Sequence, residues 1–427
     1  MWQDKFKENL IYIYVLFIFI CFFGRYLVYP KQYPIYLSIA LFMFIYMSNY
    51  ILQRRYSKYT LNKVIKEMNI KWGEIIISFF LMVVILFNVV LNGLYKLTIS
   101  SLFHALKGVI IIFFFVALKK VLESDCKVKQ RFVKINFWLL NCYFIINIPI
   151  LILQKNYTGF LMRKDFFKYN PLYLDHITGL IGASGTHVLA FYWISLIITN
   201  LLFYLKEKKK IVLLLLIGEV IFMIYISLYN DNKMFYIFLF IIAVMMYILT
   251  KEKILLTLIF VCPIIILVFY FINKNIIYNL FEYNNLLSHI KNYLYIYNLI
   301  QSGKLEKIER FFLVSYAIKD GGVFGKGIGS ILLWDDPTLP KHFGINTMSI
   351  RIYEGGLIFY LSLILFHYSF YNKLINKNDL INSLMIIVLL LFSSFYTIIF
   401  EDLYIVFFFS LTCLLMTMWR EMHIKFI

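Results

Sequence analysis

Residues 211–228 read IVLLLLIGEVIFMIYISL, a run in which Glu219 is the one charged side chain. A helix of about 20 apolar residues crosses roughly 30 Å of hydrocarbon while satisfying its own backbone hydrogen bonds. Similar runs recur along the 427-residue chain, which is 62% hydrophobic and only 15% charged. A water-soluble core of ordinary proportions cannot bury so much apolar surface, so this run predicts one of several transmembrane helices.

Other runs of this kind can be marked along the sequence, and tyrosines crowd their ends, where amphipathic rings rest at the headgroup level. The fold class that we expect is all-α, a polytopic membrane protein with about twelve transmembrane helices. We take residues 1–427 as a single integral membrane domain. The predicted spans are 10–24, 34–52, 74–92, 102–118, 135–153, 187–205, 211–228, 235–249, 254–272, 352–371, 380–399 and 403–419.

The distribution of basic residues orients these spans. With Met1 in the cytoplasm, more than half of the 42 Lys and Arg fall in short connections, for example in residues 206–210. Cytoplasmic loops carry such an excess, so the sequence predicts that both termini are cytoplasmic. Lys5 and Lys7 precede the first span and no A-x-A cleavage pattern follows, which indicates a retained signal anchor. The net charge of +19 is spread between apolar runs, which argues against nucleic acid as a partner.

Two long segments interrupt the alternation of span and short connection. They are a first extracytoplasmic loop at residues 154–186 and a large extracytoplasmic loop at residues 273–351. Long loops in compact proteins are usually functional, so we expect both to be ordered and to carry any chemistry. Within the larger loop, apolar residues at helical spacing predict amphipathic helices over 278–300 and 304–319, the second ending at the Asp320-Gly321-Gly322 stop signal.

Several classes of protein are disfavoured by the sequence. No nucleotide-binding motif, zinc spacing or G-x-S-x-G elbow occurs, so we expect neither a metal nor an organic cofactor. The five cysteines are odd in number and lie mostly in apolar spans, which does not indicate a disulfide framework. We find no internal repeat, and only Pro149 and Pro263 interrupt predicted spans, which weighs mildly against transporters built from broken helices.

Phosphate contacts can be predicted in the outer loops. Gly325, Gly327 and Gly329 lie in a glycine-rich run whose amide groups could approach a phosphate closely, although a plain turn after a helix explains the run equally well. Arginine suits bidentate phosphate recognition, and the outer arginines include three candidates, Arg163, Arg310 and Arg351. The alternatives are contact with lipid headgroups and, for Arg351, a helix pair with Glu354.

Further polar residues are candidates for acid-base or sugar contacts. His176 and His342 fall in outer loops, where each could serve as a base or as a donor to a sugar. Glu219 lies inside a span, where an ionisable group hints at function, and a buried hydrogen bond is the alternative. Lys233 and the pair Glu401-Asp402 are interpreted as solvated charges at outer turns, or as residues that line the floor of a polar cavity.

Three stretches together have a familiar order. The first is DHITGLIGASGT at residues 175–186, and the second is the polar turn NDNK at residues 230–233. The third runs through the large loop as Glu309-Arg310, GKGIG at 325–329, HFGIN at 342–346 and EGGL at 354–357. This order resembles the Wzy-type polymerases of O-antigen and capsular polysaccharide, which are relatives of the O-antigen ligases.

The resemblance implies an enzyme of the bacterial cytoplasmic membrane that polymerises oligosaccharide repeat units linked to undecaprenyl pyrophosphate on the outer leaflet. The resemblance implies that the enzyme needs no cofactor. Its implied partners are that lipid-linked oligosaccharide, membrane lipid, a chain-length regulator and a flippase. A flippase or exporter for the same lipid and a glycan ligase are the alternative functions.

The resemblance also implies site residues. Arg310 matches the family's loop arginine and Arg163 stands where a first-loop arginine is expected. Asn346 fits the Asn of the His-Asn pair in the ligases, while Ile345 takes the His position, which argues against a ligase. The implied catalytic residues are His342, Glu354 and Arg310. The implied substrate-binding residues are Arg163, Arg351, His176, Lys233, Gly325, Gly327, Gly329 and Asn346.

Overall fold

The structure is a computed structural model, and the residues that it describes are all in helices, turns and irregular segments, without β-strands. The described residues are 2–24, 35–42, 72–124, 126–157, 160–161, 177–182, 185–227, 229–230, 232–250, 309–331, 346–374 and 380–426. The predicted all-α class is therefore confirmed for this part of the chain.

Most of the described helices lie over predicted spans, but several extend well beyond them, and the span predicted at 102–118 is divided between two helices. In chain order the described helices are α1 (Trp2–Phe19, continued by a π-helical turn at Ile20–Gly24), α2 (Trp72–Asn92), α3 (Thr98–Leu106), α4 (Gly108–Ser124), α5 (Cys126–Asn156), α6 (Thr186–Glu207), α7 (Lys210–Ser227), α8 (Lys233–Thr250), α9 (Glu309–Gly321), α10 (Thr347–Leu374), α11 (Leu380–Tyr396) and α12 (Leu403–Phe426).

Six of the described helical stretches are long and apolar enough to cross a membrane, so the chain is a multi-pass membrane protein. They are Trp72–Asn92, Thr98–Glu123, Cys126–Asn156, Thr186–Glu207, Lys210–Ser227 and Thr347–Leu374. Shorter apolar helices cover Leu10–Phe23, Met234–Val244, Ile386–Tyr396 and Leu403–Trp419. The predicted span 254–272 and most of span 34–52 lie outside the described residues, and the total of twelve and the sidedness stay predictions.

The ends of three described helices adjoin the two predicted loops, whereas the predicted start of the larger loop at residue 273 lies outside the described residues, so both loops stay predictions. Helix α5 continues to Asn156, α6 begins at Thr186, and α10 begins at Thr347. Helix α9 ends at Gly321, and Gly322 adopts a left-handed φ of 59°, so the predicted stop signal is confirmed. The predicted helix over 278–300 lies outside the described residues.

The chain divides into two compact units. The first comprises Met1–Ile13, Tyr36–Leu118 and Leu299–Ser410, and α10 packs in it against α9, α2 and α11. Helix α2 is apolar on every side and buries only Leu81, Val84 and Asn88, one stripe at helical spacing. Because the other faces of α2 are exposed apolar surface, they suit contact with lipid.

Helix α10 is broken inside the first unit. Gly356 has φ 78° and ψ 177°, and the amides of Leu357 and Ile358 donate to the carbonyls of Gly322 and Val323 at 3.2 and 3.4 Å. The turn after α9 thus satisfies backbone groups that the break would leave unpaired, as a membrane interior requires. The expectation that only prolines interrupt spans is wrong here, since the break falls at a glycine and Pro149 lies within the unbroken run of α5.

The second unit comprises Tyr14–Ile35, Lys119–Asn298 and Leu411–Ile427. Its centre is α6, which packs against α5, α7 and α8. Of the most apolar stretch of α6, 89% of the residues are buried. At one end of this unit, Gln154 accepts hydrogen bonds from the amides of Thr178 and Gly179, and Asn230 donates to the carbonyl of Ile177 at 3.0 Å. These amide side chains fix the short segment 177–182 against the helix ends.

Candidate functional site

A buried ion-pair network joins segments of the first unit that are far apart in sequence. Arg351 near the start of α10 donates from Nη1 to Oε2 of Glu354 at 2.7 Å and from Nε to Oε1 of Glu401 at 3.0 Å, and its Nη2 lies 2.9 Å from the same Glu401 oxygen. Nη1 also donates to Oγ of Ser101 in α3 at 2.6 Å. The Thr347 hydroxyl donates to Oε2 of Glu401 at 2.5 Å, which closes the network.

Arg351 is committed to this network, with a side chain that is only 2% exposed. A buried charge is stable only when it is paired and hydrogen-bonded, and two carboxylates fulfil that condition here. The helix pair with Glu354, which the sequence offered as an alternative, is present, and Glu401 is a second partner. This geometry favours a structural role for Arg351 over contact with a pyrophosphate.

Glu401 and Asp402 are not the solvated charges that the sequence suggested. The Glu401 side chain is 14% exposed and carries two sets of bonds, while Asp402 is 2% exposed and accepts a hydrogen bond from the amide of Tyr404 at 2.9 Å. That interpretation is wrong because the connection between α11 and α12 folds inward onto Arg351. Glu401 is therefore the partly open edge of the network.

Glu354 is fully buried, and both of its carboxylate oxygens are hydrogen-bonded. Oε2 accepts from Ser101 Oγ at 2.7 Å as well as from Arg351, and Oε1 accepts from the amide of Gly329 at 3.1 Å. A general base needs a lone pair within reach of the proton it removes. Glu354 instead joins α10 to α3 and to the glycine-rich turn, so its geometry favours a structural role over the predicted catalytic one.

The glycine-rich turn at residues 321–330 uses its own amide groups within the protein. The amides of Gly325 and Gly327 donate to the carbonyls of Gly321 and Glu354 at 2.7 and 2.8 Å. The amide of Lys326 donates to the carbonyl of Tyr353 at 2.9 Å, and that of Ile328 donates to Oδ1 of Asn88 at 3.1 Å. Since Gly329 binds Glu354, these amides are all engaged. The geometry therefore favours the interpretation of this segment as a plain turn over its interpretation as a phosphate-binding loop.

Close approach explains why this turn needs glycine. Gly325 has φ 76°, and a Cβ there would lie 2.3 Å from the Glu354 carbonyl oxygen. Gly327 has φ 113°, and its Cβ would lie 2.1 Å from the ring of Tyr95. The turn is thereby packed against the broken region of α10 and against the connection that precedes α3.

Arg310 in α9 has a different environment from Arg351. Its guanidinium Cζ lies 4.2 Å from the centroid of the Tyr396 ring, a cation–π contact. Its Nε is buried and finds no hydrogen-bond acceptor among the residues that the structure describes. No ion pair with Arg310 occurs within the same part of the chain. Arg310 is therefore a half-buried cation that carries unused donors.

Two polar side chains at the start of α10 lack a hydrogen-bond partner among the described residues. Asn346 caps this helix, since its Oδ1 accepts from the amide of Ser349 at 2.7 Å, but its buried Nδ2 has no partner among the described residues. The amide of Thr347 donates to the carbonyl of Thr397 at 3.1 Å, and the buried hydroxyl of Thr397 lacks a partner within the same described part. Helix N-termini favour anions.

Arg310 and the start of α10 meet on neighbouring residues. Arg310 stacks on Tyr396, the last residue of α11, and Thr347 bonds to Thr397, the next residue along the chain. A cation, a helix N-terminus and two unpaired polar groups thus surround one short segment. This arrangement can bind an anion such as a phosphate group, and of the residues predicted for that task it unites Arg310 and Asn346.

Several predicted site residues lie outside the part of the chain that the structure describes. Arg163, His176 and His342 lie outside the described residues, and so does the side chain of Lys233, whose backbone begins α8. In the second unit, Asn232 Nδ2 donates to the carbonyl of Thr186 at 3.1 Å. This bond connects the NDNK turn to the end of the stretch at 175–186, so two of the three motif stretches are in contact.

Glu219 makes the buried hydrogen bond that the sequence offered as an alternative to function. Its Oε2 accepts from Asn200 Nδ2 at 2.6 Å, and Asn200 forms a reciprocal amide pair with Asn141 at 2.8 and 3.2 Å. All three side chains are buried in the second unit. The chain of amides explains how α7 tolerates a carboxyl group within an apolar run.

Sequence patterns did not identify several residues of the first unit that lie in or near the ion-pair network and the Arg310 site. Ser101, His104 and Lys107 recur at a spacing of three along α3, and Tyr396 and Thr397 lie at the end of α11. The polar spacing in an otherwise apolar helix was a usable signal, whereas nothing local marks Tyr396 as the partner of Arg310. Among the described residues, no group of three His, Cys, Asp or Glu side chains could hold a metal ion.

Comparisons with known proteins add no relative. No protein-family model matches the chain, and neither a curated protein nor a solved structure matches it.

Proposed function

We propose that this protein polymerises oligosaccharide repeat units, carried on undecaprenyl pyrophosphate, into a surface polysaccharide at the outer face of a bacterial cytoplasmic membrane. In this proposal both termini are cytoplasmic and the turn at 321–330 and the start of α10 are extracytoplasmic. The observation that carries the proposal is Arg310, a cation near the N-terminus of α10 whose buried Nε has no acceptor among the described residues.

The reaction explains why such a cation is needed. The anomeric carbon of the growing glycan exchanges its bond to the pyrophosphate oxygen for a bond to a hydroxyl oxygen of the next repeat unit. The pyrophosphate leaves with the bonding electrons, and the hydroxyl proton passes to a base. Fixed positive charge placed where the leaving group gains charge lowers the barrier, because it is already oriented when the charge develops.

The residues divide between two tasks in this proposal. Arg310 and the side-chain amide of Asn346, next to the N-terminus of α10, bind the pyrophosphate, and Arg163 is a further candidate from the first loop. Arg351 and Glu354 hold the helices that form this site, since both are buried and mutually paired. His342 remains the candidate for the base, and its role is a prediction from the sequence.

A flippase for the same lipid is the second candidate, and one observation favours it. Helix α10 is broken at Gly356, and broken helices commonly surround the binding sites of transporters. In α10, however, the turn after α9 occupies the break and takes up the freed backbone groups. A ligase would share the chemistry of the polymerase and differ in its acceptor.

Deletion of the gene separates the three functions. Surface polysaccharide and lipid-linked intermediates from the deletion strain are compared on a gel with those of the parent. Single repeat units that accumulate on an outer-leaflet carrier support a polymerase. Repeat units that are trapped on the inner leaflet would replace the proposal with a flippase, and polymer that is complete but unattached would replace it with a ligase. Complementation with the wild-type gene must restore the parent pattern in each case.

A further inference from the structure

One face of α3 presents a histidine whose ring orientation and protonation are set by its neighbours. Ser101, His104 and Lys107 follow one another at a spacing of three, and Lys107 continues the helix with φ −55° and ψ −31°. Ser101 bonds to Arg351 and Glu354 in the ion-pair network. His104 and Lys107 therefore lie on the face of the helix that holds this network.

Lys107 constrains the imidazole of His104. Its Nζ lies 3.1 Å from Nδ1 of His104 and donates to the hydroxyl of Tyr36 at 3.3 Å, while the residue is only 4% exposed. As an ammonium ion, lysine has three donors and no acceptor. Nδ1 must then accept, and in a neutral imidazole the proton resides on Nε2.

The Nε2–H group is the free end of this arrangement. His104 is half-buried, and no hydrogen bond to Nε2 is formed within the described part of the chain. Nε2 is also not one of the buried unpartnered atoms, so it is at least partly exposed. His104 thus offers one oriented donor, backed by a lysine, at the edge of the network.

Charge indicates which ligand this donor suits. Lys107 lies within electrostatic range of Asp402 and Glu401, and His104 lies within range of Arg351 and Glu401. The carboxylates of Glu354, Glu401 and Asp402 outnumber the two cations, Arg351 and Lys107. The surroundings of His104 are therefore not positive overall. A pyrophosphate, which is negatively charged, is bound better by the cation Arg310 than by the neutral His104. A neutral hydroxyl group fits a neutral donor beside a partly open carboxylate.

We propose that His104, held by Lys107 as the Nε2–H tautomer, is a hydrogen-bond donor to a neutral hydroxyl of the acceptor sugar. The inference builds on the proposed function and separates an acceptor subsite at His104 from the pyrophosphate subsite at Arg310. The hydroxyl is a non-reacting one, because donation to the attacking oxygen would withdraw the electron density that it needs. His104 is a substrate-binding residue here, and Lys107 is a positioning residue.

The tautomer is tested without any activity assay. The full chain is labelled with 15N-histidine and studied by NMR in detergent or lipid, and the spectrum of the His104→Gln variant identifies the His104 signals among those of the seven histidines. We expect an unprotonated Nδ1 and a protonated Nε2 at neutral pH, and a mixture of tautomers in Lys107→Met. A proton on Nδ1 with a bare Nε2 would overturn the proposal, whether or not the protein is a polymerase.

The donor role is tested with matched variants and with the lipid-linked repeat units that accumulate in the deletion strain. Glutamine places an amide N–H near the position of Nε2, whereas asparagine places it near Nδ1. We expect His104→Gln to stay within about threefold of the wild-type apparent KM, and His104→Asn and His104→Ala to raise it about tenfold with little change in kcat.

The outcomes distinguish this inference from the proposed function. A loss of kcat in His104→Gln as large as in His104→Ala would show that the imidazole acts as a base and would overturn the donor role. A wild-type protein that does not polymerise the repeat units would contradict the proposed function, while the NMR result would still decide the tautomer. Elution of each variant as the wild-type species on size exclusion confirms that it is folded.

Discussion

Arg351 and Glu401 form an ion pair in which Nε and Nη2 of the guanidinium both reach one carboxylate oxygen, at 3.0 and 2.9 Å, across fifty residues of sequence. The pair connects the start of α10 to the connection between α11 and α12. Glu354 binds the same guanidinium from within α10 and Ser101 accepts from it in α3, so one buried cation fixes three segments. The donors at the start of α10 keep their positions because this network holds that helix end.

Removing the cation should therefore destabilise the fold. Arg351→Met leaves Glu354 and Glu401 without their shared counter-ion, and breaking a buried pair in this way costs about 3–5 kcal/mol. We expect less folded protein in the membrane and a lower midpoint in thermal unfolding in detergent. The exposed pair of Lys326 and Asp320 provides the control, since Lys326→Met should change stability by less than about 1 kcal/mol. Equal effects of the two substitutions would contradict the structural role of Arg351.

Arg310 should behave in the opposite way. Arg310→Met removes the charge that we assign to the pyrophosphate but breaks no ion pair within the described residues, so we expect normal protein levels and a loss of polymer of about 100-fold, the effect of removing one charge-stabilising donor. The amount and chain length of the polymer are measured on a polysaccharide gel. Tyr396→Phe is the matched control, because it keeps the ring under the guanidinium. Normal polymer in Arg310→Met would remove the main support for the proposed site.

Local patterns predicted the parts of this site that depend on nearby residues. The apolar runs indicated the helices, and the Arg351–Glu354 pair could be read from a spacing of three. The stop at Gly321 also followed from sequence. Glu401 could not be assigned to Arg351, nor Tyr396 to Arg310, because those contacts depend on how distant helices pack. The break at Gly356 was missed for the same reason, since the turn at 321–330 is what makes it stable.

The glycine-rich turn should be sensitive to a single methyl group. Gly327→Ala places a Cβ 2.1 Å from the Tyr95 ring at φ 113°, so the turn or the ring must move, with a strain of about 1–3 kcal/mol. We expect a lower unfolding temperature and reduced polymer. Gly218→Ala is the control because nothing lies within 4 Å of its Cβ, and it should be silent. A silent Gly327→Ala would contradict the packing described for this turn.

Glu219 should tolerate loss of its charge. In Glu219→Gln the amide oxygen can still accept from Asn200, so we expect the free energy of unfolding to fall by less than the roughly 1–3 kcal/mol of an unsatisfied buried group, and polymer to be normal. Asn200→Leu removes the donor and leaves a buried carboxyl unsatisfied, which should cost about 1–3 kcal/mol. Both values come from thermal unfolding of the purified protein. Loss of polymer in a stable Glu219→Gln variant would instead assign this carboxyl a functional charge.

The sidedness of the first unit can be tested by labelling, because the structure connects two segments that the charge distribution predicts to be extracytoplasmic. The Tyr95 hydroxyl donates to the carbonyl of Lys326 at 3.0 Å, so the connection before α3 and the turn after α9 lie on one side. Lys96 and Lys326 are both exposed, whereas exposed Lys208 falls in a predicted cytoplasmic connection. Each is replaced by cysteine in a cysteine-free background.

An impermeant thiol reagent applied to intact cells should label Lys96→Cys and Lys326→Cys but not Lys208→Cys, which should react only after the cells are opened. Permeabilised cells, in which all three positions must react, provide the control for thiol accessibility. The reverse pattern would invert the topology and place Arg310 and the start of α10 in the cytoplasm. A lipid-linked glycan on the outer leaflet would then be out of their reach, and the polymerase proposal would fall with it.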